Sequence, residues 1–210
     1  KNATIRPLRS EPERAQPFPK TAGEDRLGER DINLDNELHP TRYNSTAKWL
    51  HWLVGFIVIV MLIAGRTLEA IPLYERAEII MVHSGLGSLV LLLMIVRIWW
   101  RRGHPVPGPT PNMSARQASM SSLMHYALYA LLILQAIFGS LQAMFLTEYP
   151  VVAFGLINYS AMAQGSDSLA RVFHIAHGLN SILLSILVLG HIGAALYHRF
   201  VQKDAVFRRM

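Results

Sequence analysis

Nine histidines occur in a chain of 210 residues. Five of them, His51, His83, His125, His177 and His191, stand inside strongly apolar stretches. An ionisable side chain in such a stretch is costly and points first to chemistry. His177 and His191 are fourteen residues apart. Over that interval an α-helix rises about 21 Å and returns to within roughly 40° of the same face. One helix therefore offers two imidazoles at two depths, which suits ligands to two stacked centres. His174 lies about 100° away from that face. His198 shares it but sits about 10 Å further along, at the helix end.

Composition says what kind of solvent surrounds these groups. Hydrophobic residues make up 51% and charged residues 16%, against roughly 25% charge in a soluble domain. Four apolar segments, about 47–68, 77–100, 121–146 and 172–199, each approach or exceed the ~20 residues that cross a bilayer. The expected fold is an all-α membrane protein, a four-helix transmembrane bundle over residues 43–210. Residues 1–42 are polar, carry five prolines and equal numbers of basic and acidic groups, and read as an extended tail. Ten Lys or Arg flank one side of the spans. Only Arg66, Arg76 and Arg171 flank the other, which predicts that both termini are cytoplasmic. The prolines of 105–111 mark an extended connection. The partly apolar loop between the third and fourth segments is expected along the membrane surface.

With that topology the depths match. His51 opens the first span, level with His191, and His83 falls early in the second, level with His177. The expected couples are His51–His191 and His83–His177. Two imidazoles at each level suit a six-coordinate haem iron, whose porphyrin supplies four more nitrogens. Cysteine is absent, which removes thiolate clusters, covalent C-x-x-C-H haem attachment and disulfides. Gly65, fourteen residues after His51, and Gly85, beside His83, would leave room for a flat macrocycle; packing glycines would look the same. Arg97, fourteen after His83, would meet haem carboxylates or snorkel to the interface. His125 lacks a matched partner and would bond a haem carboxylate or a backbone carbonyl. His39 and His104 lie in polar segments and read as solvated. The basic pI of about 9.9 comes without any nucleic-acid motif, so nucleic acid is not an expected partner.

The stretches "RYNSTAKWLHWLVG", "HSGLGSLVLLLMIVRIWWR", "HYALYALLILQAIFG", "PVVAFGL" and the C-terminal "HGLNSILLSILVLGHIGAALYHRFVQKDAVFRRM" resemble the bacterial cytochrome b561 family of four-helix dihaem membrane cytochromes. The resemblance covers about residues 42–210. It implies two b-type haems on His51, His83, His177 and His191, a non-ligand role for His125, and placement in the bacterial inner membrane. It also implies electron exchange with membrane quinone. One branch is similar to a superoxide oxidase with ubiquinone as acceptor, for which Arg76 and Arg171 would attract the anion, unless they simply pair with Glu75 or Asp167. The tail of 1–41 and the loop 157–171 depart from the family pattern. The other functions to weigh are a haem-bearing relay or anchor subunit of a larger respiratory or photosynthetic complex, docked through the tail, and a haem-free transporter whose histidines move protons.

Overall fold

The computed structural model describes residues 40–108, 113–204 and 206–210. The tail expected over 1–42 falls largely outside the described residues, as do His39 and half of the proline connection.

Helix α1 runs Ser45–Thr67, α2 Leu73–Gly103, α3 Ala115–Phe145 and α4 Asp167–Tyr197. All four are long and apolar enough to span a membrane, as the apolar segments predict. Their N-terminal ends lie further out than hydropathy alone places them. The first turns of α3 ("ARQASM") and α4 ("DSLAR") are uncapped in an apolarity reading, but each has a cap. Ser114 and Gln117 form a reciprocal capping box, with contacts of 2.9 and 3.3 Å, which satisfies orphan amides. Ser166 Oγ accepts from Leu169 N, and Asp167 follows in the first turn, where a carboxylate suits the helix dipole. Asn44 caps α1 by accepting from Ala47 N at 2.8 Å, and the same oxygen takes Trp100 Nε1 at 3.2 Å. At the other end of α1, Pro72 separates it from α2.

Helix α1 packs on α2, α2 on α3, and α3 most closely on α4, whereas α1 and α4 scarcely approach each other. The interior is thin. Val54, Ile57 and Val58 of α1 meet Val90 and Met94 of α2, with Tyr129, Leu132, Ile133 and Val188 around them. Large apolar residues such as Phe56 and Ile63 face outward, as expected where lipid tails are the solvent. The two described ends of the chain meet: Tyr43 N donates to Arg209 O at 3.2 Å. This side of the bundle is called the termini side below, and the opposite one the far side.

The loop after α3 folds into a small ribbon. β1 (Val152–Ala153) pairs antiparallel with β2 (Ile157–Asn158). Phe154 and Gly155 turn the chain with φ of 49° and 71°.

Candidate functional site

The imidazoles converge as two couples. On the termini side the rings of His51 and His191 have centres 6.1 Å apart and planes at 76°. On the far side His83 and His177 are 6.3 Å apart at 71°. Two imidazoles gripping one metal at about 2.0–2.1 Å per nitrogen have ring centres roughly 6 Å apart, and both couples meet that spacing. Among the described residues no three His, Cys, Asp or Glu side chains gather into a site for a bare ion. Donor sets of two fit a macrocycle that brings its own nitrogens.

The far-side couple opens on a cavity of about 600 Å³, bordered by Gly65, Gly139, Gln135 and Tyr159 among others. That size lies within the range of cofactor pockets. His83 Nδ1 is buried there without a hydrogen-bond partner among the described residues, an arrangement that calls for a ligand or ion. His177 is held differently. Its Nδ1 donates to the Gln135 carbonyl at 3.0 Å, and its Nε2 accepts from the Gln135 side-chain amide at 3.1 Å. An amide nitrogen can only donate, so the proton sits on Nδ1 and the lone pair on Nε2. That is the tautomer a metal needs. For a metal to use the lone pair, the amide must swing aside, at a cost of about 1 kcal/mol. Buried Asn180 aims that amide, donating to Gln135 Oε1 at 2.6 Å and to Leu131 O at 3.0 Å. Gly139 makes the approach of His177 possible: a Cβ there would lie 2.9 Å from the ring's Cε1.

On the termini side Arg97 is buried. It donates to Ala47 O at 3.0 Å, to Tyr129 Oη at 3.2 Å and to His51 Nδ1 at 3.3 Å. A guanidinium has no acceptor, so in this arrangement the His51 proton rests on Nε2. Ligation through Nε2 requires the longest of these three bonds to be released. His125 Nδ1 bonds the Ser121 carbonyl at 2.6 Å, the backbone alternative expected for it, and its ring lies 5.4 Å from that of His191.

One expectation changes. The space beside Gly85 is filled by the Phe154 ring, which a Cβ would meet at 2.4 Å, so this glycine seats the ribbon instead of leaving a gap for a macrocycle. Gly65 does face the far couple, its Cβ position 3.7 Å from His83 Cε1. His198 lies outside both couples and pairs with Asp204 at 2.6 Å. His104 is exposed and stacks on Trp100 at 3.9 Å. At the cavity mouth stand Arg66, Arg76 and Tyr149, Arg76 tied to the Ile71 carbonyl. Burial, followed by the Glu148 charge, pushes the Tyr149 phenol above its ordinary range, so it is a neutral donor at physiological pH. Gln135, Asn180, Gly139 and Tyr159 were not legible as site residues. The one signal was that Gln135 and Asn180 are amides inside apolar spans, where polar groups are rarely idle.

Four membrane-spanning helices enclosing facing imidazole couples define a membrane cytochrome. Comparison with known proteins agrees: the model of the prokaryotic cytochrome b561 family matches residues 42–210, and the chain belongs to that family. Cytochrome b561 homolog 2 of Escherichia coli K12 is 28% identical over 176 residues, covering 81% of this chain and 92% of that protein. The probable superoxide oxidase CybB of Yersinia pestis is 28% identical over 169 residues, with 80% and 95% covered. Cytochrome b561 homolog 1 of Escherichia coli K12 is 26% identical over 172 residues, with 80% and 96% covered. The protein is thus a multi-pass membrane haem protein of electron transport.

Proposed function

We propose that the chain binds two b-type haems, one between His51 and His191 and one between His83 and His177, and carries electrons across the bacterial inner membrane with its termini in the cytoplasm. The observation behind this is the pair of imidazole couples at 6.1 and 6.3 Å, set about 21 Å apart along α4. Haem supplies one-electron chemistry at its iron; the chain supplies position and field. The Gln135 carbonyl fixes the His177 tautomer, Gly65 and Gly139 leave room at the far couple, and Arg97 brings a buried positive charge to the other. Arg97 lies beside His51, where it would act on that centre through its charge, and His125 stays on the Ser121 carbonyl.

A pyridine haemochrome assay tests the assignment. The parent is expected to hold two b haems per chain, and replacing any one of His51, His83, His177 or His191 by Ala should empty one centre or turn it high-spin. Four variants that keep both centres low-spin would end the reading.

Quinone is the proposed exchange partner in the membrane, and superoxide a proposed donor on the far side. The second suggestion leans on the name of one relative and on Arg66 and Arg76 at the cavity mouth, where cations attract anions. Purified protein should reduce quinone when superoxide is generated; no reduction above a haem-free control removes superoxide. The family match begins at residue 42, so the segment before it is extra to the cytochrome. That favours a second reading, a tether to a larger complex. Native purification with and without residues 1–41 tests it, and an unchanged monomer in both removes it.

A further inference from the structure

The ribbon after α3 lies where a water-exposed loop would not. From Tyr149 to Ser166 the sequence has no charged residue, although Glu148 and Asp167 flank it. The ribbon docks on α2: Phe154 N donates to Met81 O at 3.2 Å, and the Phe154 ring presses on Gly85. Both contacts fall beyond Glu78, the last charge of α2 before Arg97, by about 4 and 10 Å along the helix axis. Tyr159 reaches further in. Its hydroxyl bonds Ser88 at 2.8 Å and accepts from Ser140 at 3.3 Å, so it ties the ribbon to α2 and α3 at once.

Irregular backbone survives at such depth only if its polar groups are satisfied within the protein. Here they are. Tyr159 N reaches Val151 O, Leu156 N reaches Ala153 O, and Met162 N reaches Tyr159 O. Val151 N donates to Ser160 Oγ and Ala161 N to Asn158 Oδ1, while the ladder joins residues 152–153 to 157–158. The large side chains that the ribbon turns outward are apolar: Leu156 is 85% exposed, Phe154 45% and Ile157 39%, and the exposed Asn158 beside them spends its oxygen on Ala161 N. Inward, Val151 and Ala153 are buried.

We propose that residues 151–162 form a re-entrant hairpin in the far leaflet, with Phe154, Leu156 and Ile157 resting against lipid acyl chains. Phe154 is bonded to Met81 of α2, whose side chain is exposed as well, and a charge-free tip offers an ionic partner nothing to pair with. In this position the hairpin is a membrane-embedded wall of the far-side cavity, with Val151 and Tyr159 lining it.

The chain contains no cysteine, so single-cysteine variants report one position each. Leu156→Cys, with Ile157→Cys as a second tip variant, is compared with Gln164→Cys on the same loop, in haem-loaded protein in lipid nanodiscs open on both faces. A membrane-impermeant charged maleimide should alkylate the tip cysteines about tenfold or more slowly than Gln164→Cys, because an apolar setting suppresses the thiolate and excludes the reagent. A small apolar maleimide meets the same thiolate population but partitions into lipid, so its tip-to-control ratio should lie severalfold or more above that of the charged reagent. Equal rates with the charged reagent would put the tip in water. Equal protection from both reagents would put it under protein. Either result overturns the proposal, and neither depends on which histidines hold haem.

Discussion

With one haem at each couple, as proposed, replacing Gly139 by alanine should weaken one haem site and leave the other alone. The added Cβ would lie 2.9 Å from Cε1 of His177 and 3.1 Å from its Nδ1. Carbon contacts settle near 3.5–4.0 Å, so the ring must retreat by about 0.6 Å or more. It cannot swing freely, because Nδ1 is hydrogen-bonded to the Gln135 carbonyl. Metal–ligand distances tolerate only about 0.2 Å. Overpacking of this kind costs about 1–3 kcal/mol, and disturbing the surroundings that orient a ligand typically lowers metal affinity about 10–100-fold. The two scales agree, since tenfold is about 1.4 kcal/mol. The assay is transfer of haem to excess apomyoglobin, followed by pyridine haemochrome. Gly139→Ala should release one haem about 10–100 times faster than the parent. Gly193→Ala, whose Cβ would meet nothing within 4 Å, should behave as the parent. If Gly139→Ala keeps both haems at the parental rate, the far-side couple is not placed as argued.

Two further outcomes follow from particular contacts. Asn180→Leu leaves Gln135 Oε1 without its donor and removes a second donor from the Leu131 carbonyl, and should lower stability by about 1–2 kcal/mol; denaturation in mixed micelles measures it, and parental stability would show that the amide network is idle. At the C-terminus, burial alone would raise the Asp204 carboxyl, but the hydrogen bonds from His198 and Val206 N and the charge of Arg209 outweigh it and hold it below the ordinary carboxylate range. A depressed carboxylate contributes stability above its unfolded value, near 4, and loses it as pH falls through the folded value. Hydrogen exchange over residues 203–210 should therefore stay slow from pH 7 to 5 and quicken below about 4. Asp204→Asn should be quick throughout, and an acid-insensitive parent would discount the pair.

The spans were legible because nothing but a membrane tolerates uncharged runs such as residues 79–96. Their ends were less so: the caps at Ser114 and Ser166 extend α3 and α4 into polar sequence that an apolarity window ignores. The alignment of His177 with His191 follows from helix pitch alone, and matching depths brought His51 and His83 opposite them. What sequence could not supply was rotation. Helix α3 is rich in Leu, Ile and Ala on every side, so nothing marks the face that turns Gln135 and Gly139 toward His177, 42 and 38 positions away. Gly85 shows the same limit. Its neighbour in sequence is a histidine, but its neighbour in space is Phe154, brought there by a turn whose φ values lie in the left-handed region.

The two couples sit in unlike surroundings, and this predicts an order of potentials. Beside His51 lies a buried guanidinium, that of Arg97, with its carbonyl and phenol partners uncharged. Around His83 and His177 the inner groups are neutral: Gln135, Asn180, Ser88 and Tyr159. The cations on that side, Arg66 and Arg76, stand at the mouth, where Arg66 is exposed and water screens its charge. A positive charge in low dielectric favours the reduced state of a neighbouring centre, because reduction lowers the positive charge there. With one haem at each couple, as proposed, the higher midpoint potential should therefore belong to the termini-side centre, and electrons entering from the far side should come to rest there. Redox titration of the α band in His83→Ala should retain the higher component and lose the lower. Arg97→Gln, which removes the charge but keeps a donor, should lower the higher component and leave the other in place. If the component surviving in His83→Ala is the lower one, the field of Arg97 does not order the two centres.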